Sequence, residues 1–261
     1  MKKLVVNADD FGLARDVNQG IIEAHREGIL TAATLMATGD AFEDAVRLAK
    51  ANPTLDIGCH LVLAGSPPFP DSVARLTLAV ASGRIRVYEE LVRQVRRILD
   101  AGLAPSHLDT HKHTHLLPAV LRAVARISGE FGIRWVRRPF DFPLQPGGGD
   151  WIRSSVNRSF ALVRGHFDRV LEKSGCRFTD HFAGFQITGR VQAATLVDLI
   201  RALPDGSTEF MCHPGHCTEE LRTMRTRLKE SREEELRALT APEVRAALRE
   251  SQIELVNYGG L

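Results

Sequence analysis

The chain has 261 residues, a formal net charge of +2, 44% hydrophobic residues and 25% charged residues. That balance excludes a disordered chain and supplies no basic block suited to nucleic acid, so a small-molecule substrate is the better expectation. Leu4-Val5-Val6 is too short for a signal peptide core, no run reaches the roughly 20 apolar residues of a membrane span, and Cys59, Cys176, Cys212 and Cys217 are spaced irregularly, as reduced thiols are; a cytoplasmic protein is expected.

Leu4-Val5-Val6 reads as a buried parallel strand that delivers Asn7-Ala8-Asp9-Asp10 at its C-terminal end. A helix follows, with Val17, Ile21, Ile22 and Ala24 as its apolar stripe and Gly28 as its stop. The rhythm repeats: strand at Thr31 to Met36, helix at Ala41 to Ala51, strand at Leu55 to Leu63, helix from about Tyr88 to Ala101, and a strand ending near Asp109. Then come a helix from about Pro118 to Phe131, a short strand at Trp135-Val136, a helix at Ala193 to Leu203, a strand at Thr208 to Cys212, a helix at Pro242 to Glu250 and a strand at Ile253 to Val256. Such alternation with no dividing linker predicts one α/β domain over residues 1–261, a closed β/α barrel in preference to an open doubly wound sheet. No glycine-rich nucleotide loop supports the open alternative.

Asp9-Asp10, His60, the cluster from Asp109 to His115, and His213 all fall just after predicted strands, where the catalytic rim of such a barrel lies. Adjacent carboxylates repel, and a bound cation is the simplest way to keep both ionised; a turn or helix cap is the plain alternative for this pair. In His107-Leu108-Asp109-Thr110-His111-Lys112-His113-Thr114-His115, alternate histidines of an extended stretch would point to one side, a metal signal that packing explains poorly. His213, before a Pro-Gly turn, is either a catalytic group or a residue fixed by that turn. Asp180 and His181 suit sugar hydroxyls or a helix cap, and Arg137 and Arg138 suit substrate binding or a solvated pair.

Asn7-Ala8-Asp9-Asp10-Phe11-Gly12, Gly58-Cys59-His60-Leu61, the histidine cluster, and the tail Ser231-Arg232-Glu233-Glu234-Glu235-Leu236 with Leu239-Thr240-Ala241-Pro242-Glu243-Val244 together resemble the YdjC-like carbohydrate deacetylases, which include the chitooligosaccharide deacetylases. The resemblance spans nearly the whole chain and is weakest from about Pro143 to Gly175. Leu61 to Pro70 looks most like the branch associated with hopanoid biosynthesis. The resemblance implies a distorted barrel of about seven strands akin to the polysaccharide deacetylases, and hydrolysis of the N-acetyl group of an N-acetylglucosamine unit, on a hopanoid-linked glycolipid or a chitooligosaccharide. It implies Asp10, His60 and His111 as metal ligands, Asp9 as base and His213 as acid. From their positions in the histidine cluster and near strand ends, His113, His115, Arg137, Arg138, Asp180 and His181 are the candidates for substrate contact.

Nitrogen and oxygen ligands suit zinc, cobalt or nickel by softness, with zinc favoured; magnesium prefers an all-oxygen shell but is often named for the family. Two imidazoles and one carboxylate leave open positions for water and the acetyl carbonyl oxygen. A metal-dependent phosphoesterase, a glycosidase and a non-catalytic metal-binding protein are the competing readings. Ile152, Val156, Phe160, Val163, Phe167 and Val170 recur at helical spacing among arginines. That helix either packs on the barrel or rests on the inner face of an anionic membrane, as a lipid-linked substrate would require. Homo-oligomerisation is compatible with the sequence.

Overall fold

The computed structural model describes residues 1–142 and 163–261. Its centre is β1 (Lys2–Phe11), buried from Leu4 onward on both faces, as its continuous apolar run requires. Parallel partners flank it on both sides. On one edge it pairs with β7 (Gly206–Cys212) in unbroken register from Lys2 opposite Gly206 to Ala8 opposite Cys212. The other edge is shared by β2 (Ala32–Leu35) at its C-terminal half and β8 (Ile253–Leu255) at its N-terminal half. The sheet continues outward from β2 through β3 (Asp56–Leu61) and β4 (His107–Thr110) to β5 (Trp135–Val136), and from β7 to β6 (His181–Ala183).

The edges at β5 and β6 are joined by isolated bridges rather than by a ladder. Val136 donates its N–H to the Arg177 carbonyl at 2.8 Å, and Phe142 donates to Phe182 at 2.9 Å. The expected distorted β/α barrel is therefore present, with eight parallel strands among the described residues. Closure at β5 is thin because that strand has only two residues.

Helices α1 (Arg15–Glu27), α2 (Phe42–Ala51), α4 (Val87–Asp100), α5 (Pro118–Phe131), α7 (Ala193–Ala202) and α10 (Pro242–Glu250) cover the barrel and match the sequence reading. Pro118 and Pro242 open their helices where a missing N–H costs nothing, and Gly132 ends α5 in the left-handed conformation at φ 71°. Three helices were not expected: α3 (Val73–Ala81), the short α8 (Glu219–Thr223) and α9 (Glu230–Thr240).

Between α5 and β6, residues 163–173 are helical (α6). Phe167 and Leu171 of this helix are buried in the core while Val163 is exposed, so its described part follows the packing alternative. Ile152, Val156 and Phe160 lie outside the described residues.

Candidate active site

Asp9 and Asp10 sit at a break in register between β1 and β2, between Ala8 and Phe11. Successive side chains of a regular strand point to opposite faces, so one of two neighbouring carboxylates would normally turn away. The irregularity, with Asp10 in the left-handed region at φ 69°, re-aims the backbone so that both line one cavity. Asn18 fixes the following turn by accepting the Gly12 N–H at 2.7 Å.

His60 ends β3 in register with Asp109 of β4. Its Nδ1 lies 2.6 Å from Asp109 Oδ1, which directs Nε2 toward Asp10, in the way a second carboxylate commonly orients a metal-bound histidine. Asp10 Oδ1 is 3.4 Å from His60 Nε2 and 3.1 Å from His111 Nδ1, and the two nitrogens are 3.2 Å apart. Asp10 Oδ1 is shielded from solvent yet has no hydrogen-bond partner among the described residues. An orphaned carboxylate oxygen facing two imidazole nitrogens is a donor set that fits one divalent cation, and Asp10, His60 and His111 are a group able to hold it.

The histidine cluster departs from the extended conformation assumed above. β4 stops at Thr110, and His111–Leu116 form a 3-10 turn in which Lys112 and His113 both have positive φ, 55° and 51°. The imidazoles consequently diverge. His111 joins the metal-binding group and His113 lines the cavity. His115 is buried behind it, between the Thr110 hydroxyl at 2.5 Å and the Arg137 carbonyl at 3.1 Å. His107 stacks on Tyr258 inside the barrel, with ring centroids 3.9 Å apart.

Arg137 also departs from expectation. Instead of facing substrate it is fully buried in the barrel, where Nη1 and Nη2 grip both oxygens of Asp9 at 2.8 and 2.7 Å. Nη1 also lies 2.8 Å from Asp109 Oδ2, and Nε donates to Glu209 at 2.7 Å. A guanidinium is suited to this fork geometry, and it is the charge that lets three carboxylates coexist in the interior. Arg138 is also buried and does not line the cavity; its guanidinium lies over the Phe178 ring and donates to Asp168 at 3.4 Å and to the Asp180 carbonyl. Asp180 and His181 stand at the beginning of β6 rather than after a strand, bonded to Ser207 and to the Asp205 carbonyl. Parallel strands place that start at the end of the barrel opposite Asp10 and His213, so the structure does not bring Asp180 or His181 to the cavity.

Burial disfavours ionised Asp9 and Asp10, but Arg137 and His60 outweigh it for Asp9, and Arg232 and His111 for Asp10, so both carboxyls lie well below their usual range. Burial likewise opposes charge on His60, yet Asp109 and Asp9 prevail and raise it to about 10. His213, just beyond β7, has its Nε2 3.9 Å from Asp9 Oδ2. Burial pushes its imidazole down to about 4, partly offset by Asp9 and Asp10. Its backbone N–H is tied to Glu235 of α9 at 2.6 Å, and Gly20 packs under the same turn.

Residues that sequence reasoning left without a role complete the site. The Asp109 position beside His111 was visible in the cluster, but Arg232 and Glu235 of α9 carried no signal beyond the tail pattern. Arg232 Nη2 donates to Asp10 Oδ2 at 2.5 Å. The cavity has a volume of about 720 Å³ and is lined by Asp9, Asp10, His111, His113, His213 and Arg232, with Gly65 to Pro67 on its rim.

The fold and these groups define a β/α barrel with a histidine and carboxylate site at the C-terminal ends of its strands. The YdjC-like protein family matches residues 3–250, and the chain belongs to it. It is 36% identical to a carbohydrate deacetylase of Brevibacillus brevis over 99% of both chains. It is 30% identical to a chitooligosaccharide deacetylase of Klebsiella pneumoniae over 98% of this chain and 97% of the relative. A crystal structure from Enterococcus faecalis, provisionally described as a cellobiose-phosphate cleavage protein, superposes with a TM-score of 0.76 at 25% identity, covering 99% of this chain and 98% of that one.

Proposed function

We propose that this chain is a metal-dependent carbohydrate deacetylase, one catalytic unit over residues 1–261, that hydrolyses the N-acetyl group of an N-acetylglucosamine unit. The observation that carries the reading is the convergence of Asp10 Oδ1, His60 Nε2 and His111 Nδ1 beside Asp9 in an open cavity. The deacetylase names of the relatives supply the reaction class. A divalent ion, zinc by ligand softness with magnesium as the alternative, would supply Lewis acidity at those three residues.

Asp9, kept ionised by Arg137, takes a proton from water as the water oxygen bonds to the acetyl carbon. The C–N bond then breaks, and the nitrogen receives a proton. His213, neutral in the free site with its Nε2 3.9 Å from Asp9 Oδ2, is the group placed to pass a proton to the amine, and it takes that proton up through water rather than by a direct bond to Asp9. His113 faces the sugar from the cavity wall. Acetate and the free amino sugar are the products.

A two-metal phosphoesterase is disfavoured by a specific feature. The second group able to hold an ion, Asp9, His60 and Asp109, is already neutralised by Arg137. As the substrate we put forward an acetylglucosaminyl hopanoid, with chitooligosaccharides as the alternative. The loop at Gly65 to Pro67, where the sequence resembles the hopanoid branch, forms part of the cavity rim. No helix among the described residues is long and apolar enough to cross a membrane, so a lipid-linked sugar would have to be met at the bilayer surface. Four buried free cysteines accord with a cytoplasmic setting.

Mass spectrometry of each candidate incubated with the protein tests the assignment. An acetyl-sized loss from the hopanoid glycolipid is expected; loss from the oligosaccharide alone transfers the assignment to that substrate, and loss from neither overturns it.

A further inference from the structure

Arg232 is nearly sealed from solvent, at 1% exposure, and four of its polar groups are fixed, its backbone N–H by the Lys229 carbonyl at 2.9 Å. Nη2 donates to Asp10 Oδ2 at 2.5 Å, Nε to the Leu228 carbonyl at 3.3 Å, and its own carbonyl accepts the Gly215 N–H at 3.2 Å. The fifth, Nη1, is buried and has no hydrogen-bond partner among the described residues. The same side chain lines the cavity with Asp9, His111 and His213. A buried cationic donor without an acceptor carries a desolvation penalty, and an arginine that served only to hold Asp10 would need Nη2 alone.

We propose that Arg232 is a further catalytic residue, whose Nη1 donates to the acetyl oxygen as that oxygen gains negative charge, and afterwards to a carboxylate oxygen of the departing acetate. This rests on the deacetylase reading above. When the water oxygen bonds to the acetyl carbon, the C=O π pair moves onto the acetyl oxygen; its return expels the nitrogen, which leaves with a proton as the amine. Arg232 gives up no proton. Its guanidinium is held in place before the reaction by Asp10 and Leu228, so no reorganisation is needed when charge develops. A neutral amide oxygen gains little from such a donor and an oxyanion gains much, which places the effect on kcat rather than on KM.

Arg232→Met and Arg232→Lys, compared with the wild-type protein loaded with zinc, test the assignment through metal content, the kcat and KM of whichever candidate substrate is turned over, and acetate binding by calorimetry. In Arg232→Met, zinc stoichiometry should persist, kcat should fall about 10²–10³-fold with KM changed only a few-fold, and acetate binding should weaken at least about tenfold. Added guanidinium should restore part of the rate. Arg232→Lys keeps the charge with a single nitrogen and should show the same kcat loss with zinc retained, which covers the case in which the Met variant does not fold. Turnover lost in parallel with zinc would reduce Arg232 to a support for Asp10. Wild-type turnover in Arg232→Lys, or unchanged acetate affinity in Arg232→Met, would overturn the proposal. Wild-type protein that binds acetate through Arg232 but releases none from any acetylated sugar would instead overturn the deacetylase reading.

Discussion

Arg137 grips Asp9 through two hydrogen bonds of 2.7 and 2.8 Å, the guanidinium sealed from solvent and the carboxylate reaching only the cavity. The same guanidinium faces Asp109 and Glu209, so one cation supports three buried carboxylates. Its removal would strand them. Arg137→Met should destabilise the fold by about 3–5 kcal/mol, the cost usual for breaking a buried ion pair by deleting one partner. Denaturant unfolding of variant and wild type measures this directly, and a loss under about 1 kcal/mol would mean the carboxylates rearrange or protonate cheaply.

Metal loading should release protons. His60 is raised to about 10 in the metal-free site, despite burial, by Asp109 and Asp9, so at neutral pH its Nε2 must lose a proton before it can bind a cation. The sign follows: affinity should rise with pH, by about tenfold per unit between roughly pH 6 and 8 if a single proton is displaced. Calorimetry in buffers of different ionisation enthalpy counts the protons. Proton release that is absent in wild type, or unchanged in His60→Ala, would contradict the arrangement.

Asp9→Asn and His213→Ala separate chemistry from metal binding. Each should retain the ion and lose about 10²-fold or more in kcat, the scale of general acid-base catalysis. Elemental analysis beside a rate assay checks both halves, and near-normal rates in both variants would remove these two roles.

Gly20 of α1 is the hidden support of the His213 turn. A Cβ there would lie 2.4 Å from Gly215 Cα, and backbone rather than a flexible side chain would have to move. Gly20→Ala is expected to cost about 1–3 kcal/mol, as overpacking does, and to lower kcat by displacing His213. A variant as stable and active as wild type would show that the turn tolerates the shift.

The positions of β1, β3, β4 and β7 were legible because buried parallel strands read as short apolar runs ending in polar residues, and those ends carry Asp10, His60, His111 and His213. What escaped depends on backbone geometry or on distance along the chain. The register break that turns both Asp9 and Asp10 to the cavity leaves no compositional trace, and neither do the positive φ angles at Lys112 and His113 that disperse the histidines. Arg137 reads as a substrate contact or a solvated cation because sequence gives no sign of carboxylates waiting inside the barrel. β6 has three residues, too few for periodicity, so Asp180 and His181 were placed at its wrong end. Arg232 meets Asp10 from 222 positions away.

The central claim is that Asp10, His60 and His111 hold one ion on which hydrolysis depends. The most direct measurement is acetate release by wild-type, Asp10→Ala, His60→Ala and His111→Ala proteins, each stripped with chelator and titrated with zinc while bound metal is counted. The wild type should lose activity on stripping and recover it in proportion to zinc, saturating at about one ion per chain, and folded variants should neither retain the ion nor recover. Full turnover by stripped wild-type protein, or stoichiometric zinc in both histidine variants, would contradict it.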